Sequence, residues 1–108
     1  MTCNERIYLW TPRQIREVIL DAVELQKAKI IKDDMSAGMT SYVLTMYGQK
    51  REYQVTVAPA SRNRSRVKIE ISGGKGGNDE IIDKQFALYE SLMLTFTPQE
   101  YDTDIAPK

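Results

Sequence analysis

Two stretches of the sequence alternate strictly between apolar and polar residues, and this pattern constrains the fold more than any other feature. Every second residue is apolar in Glu52–Ala58 and again in Arg66–Ser72. Side chains of a β-strand point alternately to opposite faces, so each stretch predicts a strand with one face on a core and one in water. Such strands are typical of an antiparallel sheet. The apolar positions are Tyr53, Val55, Val57, Val67, Ile69 and Ile71.

Other segments extend this sheet. Lys27–Asp33 and Thr40–Tyr47 are predicted strands, and Arg6–Trp10 is a short β-prone run. Gly48–Lys50 is short enough for a hairpin turn, whereas Pro59–Ser65 predicts a longer polar connection. Consecutive antiparallel pairing is therefore the expected topology.

The segment from Pro12 to about Gln26 predicts a helix. Thr11 is suited to cap it, Pro12 suits the first helical position, and Gln14 completes a capping box. Trp10, before the cap, is placed to pack on the first apolar residue of the helix as a hydrophobic staple. The apolar stripe consists of Ile15, Val18, Ile19, Ala22 and Leu25.

A second helix is predicted from about Asn78 to Phe96, with Asn78 as its N-cap, and Thr97-Pro98 should end it. Its apolar positions are Ile81, Ile82, Phe86, Leu88, Tyr89, Leu92, Met93 and Phe96. A core face explains this stripe better than a ligand pocket does. The expected fold class is α+β, a two-layer structure in which an antiparallel sheet of four to five strands carries two helices on one face, in the order (β)αββββα. We expect a single domain over residues 1–97 and a flexible acidic C-terminal tail over 98–108.

The glycine-rich run Gly73–Gly77 lies between a predicted strand and a predicted helix, where phosphate-binding loops also occur. A nucleotide-binding loop requires a lysine followed by serine or threonine at the helix start, and Asn78 follows the last glycine here. Asp79 and Glu80 would also repel a phosphate from the positive end of the helix dipole. We therefore expect a connecting loop that binds no adenine or guanine nucleotide.

Catalytic and metal-binding chemistry is poorly supported. The chain has no histidine and a single cysteine, Cys3, so histidine-dependent triads, zinc sites and internal disulfides are excluded. Asp33 and Asp34 are adjacent, and adjacent strand residues face opposite sides, so we do not expect them to converge. The sequence therefore predicts neither an enzyme, nor a cofactor, nor a bound metal.

Charge is unevenly distributed although the chain is neutral overall. Ten basic and four acidic residues lie between Lys27 and Lys75, whereas two basic and seven acidic residues follow. The candidate contacts for RNA or another anion are Arg62, Arg64, Arg66, Lys68, Lys50 and Arg51. The outward positions of the last two strands carry no aromatic residue for stacking bases, so RNA binding would be electrostatic. A solvated face, with Glu52 or Glu70 paired across strands to Arg66 or Lys68, is the simpler interpretation.

The function that these observations favour is a small non-enzymatic interaction or accessory module whose partner is a protein or a second copy. A polar open sheet face and an edge at Lys27–Asp33 are the surfaces expected to serve it. Electrostatic binding of RNA is the alternative. No segment approaches the roughly 18 apolar residues of a membrane span, so we expect a cytoplasmic protein. A trimmed bacterial envelope lipoprotein domain, anchored through Cys3, is the second alternative.

Overall fold

The computed structural model describes residues 2–95, which form a five-stranded antiparallel sheet with two helices. The strands are β1 Thr2–Tyr8, β2 Lys29–Asp34, β3 Met39–Met46, β4 Gln49–Ser61 and β5 Arg64–Gly73, and the helices are α1 Pro12–Leu25 and α2 Asn78–Thr95. This order confirms the predicted α+β fold, with the optional first strand included in the sheet. Residues 96–108, which include Phe96 and the predicted tail, lie outside the described part of the chain.

The strands lie side by side in the order β1-β5-β4-β3-β2. Strands β2 to β5 form a meander in which each strand pairs with the next. Strand β1 pairs with β5, so that Arg6 lies opposite Val67. Within residues 2–95, β1 and β2 are therefore the two edges of the sheet, as expected for the segment that contains β2.

The alternating residues of β4 and β5 form the centre of the core, as predicted. Val55 and Ile69 lie opposite each other in the ladder, and both are fully buried. The buried apolar side chains are Trp10, Ile15, Val18, Ile19, Ala22, Val23, Tyr42, Leu44, Tyr53, Val55, Val57, Val67, Ile69, Ile71, Ile81, Ile82, Phe86 and Tyr89. Apart from Trp10, which lies between β1 and α1, they come from both helices and from one face of the sheet, and the other face is open.

Helix α1 begins at the predicted capping box. The backbone N–H of Gln14 donates to the Thr11 hydroxyl at 3.3 Å, and the Thr11 N–H donates to the Gln14 side-chain oxygen at 2.8 Å. Two N–H groups that have no partner within the helix are thereby satisfied.

The other end of α1 corrects two predictions. The Ala28 N–H donates to the Val23 carbonyl, and Lys27 between them adopts a left-handed φ of 55°. This is a Schellman motif, in which the first residue, here Val23, packs against the last residue, here Ala28. Val23 is consequently buried, whereas Leu25, predicted on the apolar stripe, is 63% exposed. Lys27 and Ala28 belong to this turn, so β2 begins at Lys29 and not at Lys27 as predicted.

The hairpin of β4 and β5 is longer than predicted. Pairing continues to Ser61 and Arg64, so the predicted connection over Pro59–Ser65 is reduced to a turn at Arg62 and Asn63. Strand β3 reaches only as far as Thr56, so Pro59 lies on an edge, next to a register irregularity. Proline is tolerated at such positions because its missing N–H costs no ladder bond.

A buried hydrogen-bond network joins both helices to the sheet. The Tyr42 hydroxyl lies 2.6 Å from the Tyr89 hydroxyl and 2.6 Å from the Gln85 side-chain oxygen. Gln85 in turn exchanges two hydrogen bonds with Gln26, just after α1. The Tyr53 ring stacks on Tyr42 with the ring centroids 5.0 Å apart. Buried polar groups of this kind require partners, so the network fixes how the two helices sit on the sheet.

Strand β1 is attached to α2 through two carboxylates, Glu90 and Asp83, of which Asp83 lies 3.4 Å from Arg6. Glu90 accepts hydrogen bonds from Arg6 at 2.8 Å and from the Tyr8 hydroxyl at 2.6 Å. The Arg6 guanidinium also lies 4.6 Å from the centre of the Phe86 ring. Burial alone would raise the pKa of Glu90, but the bonds from Tyr8 and Arg6 hold it below its usual value. The Glu90 carboxylate therefore stays charged and helps to keep β1 against the helix.

Candidate functional site

The sheet face away from the helices is open and carries alternating charges. Along the middle of β4 and β5, the outward residues are Glu52, Gln54, Thr56, Arg66, Lys68 and Glu70. None of these six is aromatic, so these positions offer no platform on which bases could stack. The chemistry that this part of the face offers is electrostatic.

Two of the basic residues on this face are paired with carboxylates. Lys68 lies 3.2 Å from Glu70 on its own strand, and Arg66 lies 3.7 Å from Glu5 on β1. The prediction of cross-strand pairs from Glu52 or Glu70 is therefore corrected, because Glu70 pairs within its own strand and the cross-strand partner of Arg66 is Glu5. Exposed pairs of this kind contribute little stability, but they reduce the positive field that an anion would meet.

The six basic residues predicted as anion contacts do not form one patch. Arg62 and Arg64 are exposed at the tip of the β4–β5 hairpin, and the paired residues Arg66 and Lys68 follow them along β5. Lys50 is exposed at the opposite end of β4. Arg51 is directed to the helix-facing side and is only 5% exposed.

Arg51 holds the glycine-rich loop in place. Its Nε donates to the Asn78 side-chain oxygen at 2.8 Å, and its Nη2 donates to the Gly76 carbonyl at 3.1 Å and to the Gln49 side-chain oxygen at 3.2 Å. Gly74 lies directly on the guanidinium, because a Cβ there would stand 2.4 Å from Nε. Its φ of 72° is also a conformation that glycine adopts readily. The loop is thus shaped around a protein side chain.

The start of α2 corrects the predicted N-cap. The Ile81 N–H donates to the Gly77 carbonyl, so Gly77 occupies the cap position and Asn78 is the first helical residue. The Asn78 side chain binds Arg51 and the Gly73 carbonyl instead. Asp79 and Glu80 lie in the first turn, as predicted, where their charges oppose a phosphate.

Strand β2 presents apolar side chains at an edge of the sheet. Ile30 is 42% exposed and Ile31 is 48% exposed, and a register irregularity between Ile30 and Lys32 leaves Ile31 in a bulge. Lys29 and Asp34 lie at the two ends of the strand. Bulges and edge lysines hinder unselective strand pairing, so this edge favours a partner whose charges match it.

The two carboxylates at the end of β2 diverge, as expected. Asp33 faces the helices, where it forms an ion pair with Arg16 and accepts a hydrogen bond from the Thr40 hydroxyl at 3.1 Å. Asp34 accepts hydrogen bonds from Ser36 and Ala37 in the following turn. These bonds, that from the Ser36 hydroxyl foremost, lower the pKa of Asp34. The pair is therefore no acid–base site, but Asp34 is a stable negative charge at the edge.

A pocket of about 370 Å³ opens beside this end of β2, between α1 and the turn that leads into β3. Its wall includes the Arg16–Asp33 ion pair and Met35, which is 70% exposed. Gly38 is required at its base, because a Cβ would lie 2.3 Å from the Val57 carbonyl oxygen. A mainly apolar cavity with one ion pair in its wall suits an aliphatic side chain. No signal in the sequence indicated this pocket, since its residues come from four separate elements.

Residues 2–95 contain neither a cluster of metal-ligating side chains nor a membrane-spanning helix. No group of three or more acidic, cysteine or histidine side chains in this range could hold a metal ion. No helix in the same range is both long and apolar enough to cross a bilayer.

The protein thus presents three separate surfaces: an open charged face, an exposed hairpin tip, and an edge strand with an adjoining pocket. Comparison with known proteins adds no assignment, because no protein-family model matches the chain and no curated protein is similar to it.

Proposed function

We propose that the protein is a non-enzymatic interaction module that binds another protein strand along β2. The observation that carries this proposal is the β2 edge, where Ile30 and Ile31 are both exposed beside unpaired backbone groups. An added strand would hydrogen-bond to the backbone and cover the two isoleucines, so affinity and selectivity would come from one surface. The lack of histidine and the separate engagement of Asp33 and Asp34 support a non-enzymatic role.

The β2 edge is tested by changing one exposed isoleucine on each edge of the sheet. Ile31→Lys adds a charge to the β2 edge, and Ile7→Lys makes the matched change on β1, where Ile7 is 54% exposed. Both side chains are about half exposed and lie at an edge of the sheet, where a lysine can extend into solvent, so both variants should fold. A bound partner should be lost with Ile31→Lys and retained with Ile7→Lys, in pull-downs treated with nuclease. Hydrogen exchange should show β2 amides protected in the complex. Equal loss with both variants would contradict the assignment to β2.

The second candidate function, electrostatic binding of RNA, is favoured by the exposed hairpin tip with Arg62 and Arg64. For two phosphate contacts on a single strand, the logarithm of affinity should fall with the logarithm of salt concentration with a slope of about −1.4. We expect a dissociation constant no tighter than about 10 μM at physiological salt. Fluorescence anisotropy of the double variant Arg62→Glu/Arg64→Glu, with Lys50→Glu as the control, measures the contribution of the tip. Submicromolar binding that only the double variant abolishes would make RNA the ligand.

A cytoplasmic location is part of the same proposal. The envelope alternative requires acylation of Cys3, which is an exposed free thiol. Cys3 lies within β1, opposite Glu70 in the ladder, so an acyl chain there would emerge directly from the edge of the sheet. The open charged face beside it is better suited to water than to a bilayer surface.

A further inference from the structure

We propose that the strand which adds to β2 is the β2 strand of a second copy, in a two-fold antiparallel pair with Lys29 opposite Asp34. This inference rests on the proposed function and names its partner. The sequence of β2 is Lys-Ile-Ile-Lys-Asp-Asp, basic at its start and acidic at its end. An antiparallel copy reverses that order, so the basic end of each strand meets the acidic end of the other. The edge is therefore complementary to itself in charge.

The face on which each β2 side chain lies, together with its charge, selects one register for the two β2 strands. Pairing with β3 places Lys29 and Asp34 on the open face, because they lie opposite the outward residues Val43 and Met39. Ile30 and Asp33 lie on the helix-facing side. Residues directly opposite in an antiparallel pair share a face, and the open-face residues of β2 are Lys29, Lys32 and Asp34. Asp34 is the acidic one, so opposite charges meet when Lys29 lies opposite Asp34, and Ile30 then lies opposite Asp33. A shift of one residue would place Lys29, whose side chain is on the open face, opposite Asp33, whose side chain is on the helix-facing side. The bulge at Ile31 then lies beside the two-fold axis.

The pocket beside β2 fits this arrangement. Asp33 forms part of the pocket wall, so the Ile30 side chain of the second copy would stand at the pocket mouth, close to Met35. Two such contacts, related by the two-fold axis, would cover both copies of Ile30. Asp34 contributes its charge on the opposite face, because its bonds within the turn keep it ionised. Backbone pairing, two charge pairs and two apolar contacts thus all arise from one symmetric pair of strands.

Charge reversal tests the register. Lys29→Asp alone places two pairs of carboxylates together in the dimer, and Asp34→Lys alone places two pairs of ammonium groups together. Each single variant should weaken self-association by roughly 10- to 100-fold. An equimolar mixture of the two variants should form a heterodimer about as stable as the wild-type dimer, since every facing pair then has opposite signs. Sedimentation equilibrium in reducing buffer measures all three, with Cys3 unable to cross-link.

Two further variants separate the effect of charge at the interface from a general effect of charge and from the role of Asp34 in the turn. Lys50→Asp, at an exposed position on β4, should leave self-association unchanged. Asp34→Asn retains the oxygen that accepts from Ser36 and Ala37, so it separates the charge of Asp34 from its role in the turn. A wild-type dimer that neither reversal weakens would overturn the register. A protein that stays monomeric near 1 mM would overturn the second copy as partner, whereas the Ile31→Lys pull-down would still decide the proposed function.

Discussion

Replacing Val55 by Asp will leave the protein unfolded, whereas the same change at the next residue, Thr56, will leave it folded. Val55 is fully buried, and its neighbours in the ladder are Thr40 and Ile69. A carboxylate there would lose its hydration without gaining a partner, and the apolar burial of Val55 would be lost as well, at a combined cost of roughly 5–10 kcal/mol. Domains of this size are stable by only about 5–15 kcal/mol, so such a cost removes most of the folded population.

The matched change differs only in the face to which the side chain points. Thr56 lies on the open face opposite Lys68, where a new carboxylate gains an opposite charge. We expect Thr56→Asp to change the free energy of unfolding by less than about 1 kcal/mol. Circular dichroism and urea titration of the two variants provide the measurement. A folded Val55→Asp protein with the wild-type midpoint would show that β4 does not face the core as described.

Alkaline pH should unfold the protein through its three buried tyrosines. Burial raises the pKa of Tyr42, Tyr53 and Tyr89 above the usual value of about 10. The unfolded chain ionises near pH 10, so stability is fully present below that pH and is lost as the pH rises towards the folded-state pKa values. Each tyrosine removes about 1.4 kcal/mol per pH unit in this range. Cooperative unfolding is therefore expected as the pH rises above about 10, and it is observable in the fluorescence of the buried Trp10.

One tyrosine allows this mechanism to be tested without breaking a hydrogen bond. The Tyr53 hydroxyl is buried and has no hydrogen-bond partner among residues 2–95. Tyr53→Phe should therefore raise stability at neutral pH by about 1 kcal/mol and move the alkaline midpoint upward. Tyr47→Phe is the control, because Tyr47 is 84% exposed and should leave both values unchanged. If Tyr53→Phe lowered stability instead, the hydroxyl would have to be bonded in solution.

The local patterns of the sequence predicted most of the fold. The alternation in β4 and β5 and the capping box at Thr11 depend on near neighbours, and both are present as expected. Predictions were wrong where the geometry of a turn or the pairing of a neighbouring strand decided the outcome. Leu25 matched the helical period, but the Schellman motif packed Val23 instead. The polar stretch after Pro59 resembled a loop, yet pairing with β5 held it as a strand.

The candidate site was predictable only in part. Arg51 was predicted to be a surface charge beside Lys50. Alternation along β4 directs it inward, and its side chain donates to Asn78 at the end of the glycine-rich loop. The pocket beside β2 depends on how α1 crosses the sheet, and single-sequence patterns do not carry that information. The edge position of β2 was predictable because the meander is built from consecutive strands.

Because β1 pairs with β5, the sheet cannot be completed until β5 has been synthesised. Arg6 leaves the ribosome long before Val67, its neighbour in the sheet. At about 5–20 residues per second, the ribosome needs several seconds to make the chain between them. During this interval the meander of β2 to β4 can form from local contacts, while β1 has no strand to join. The N-terminal segment therefore remains open to chaperones or to a neighbouring nascent chain until β5 emerges.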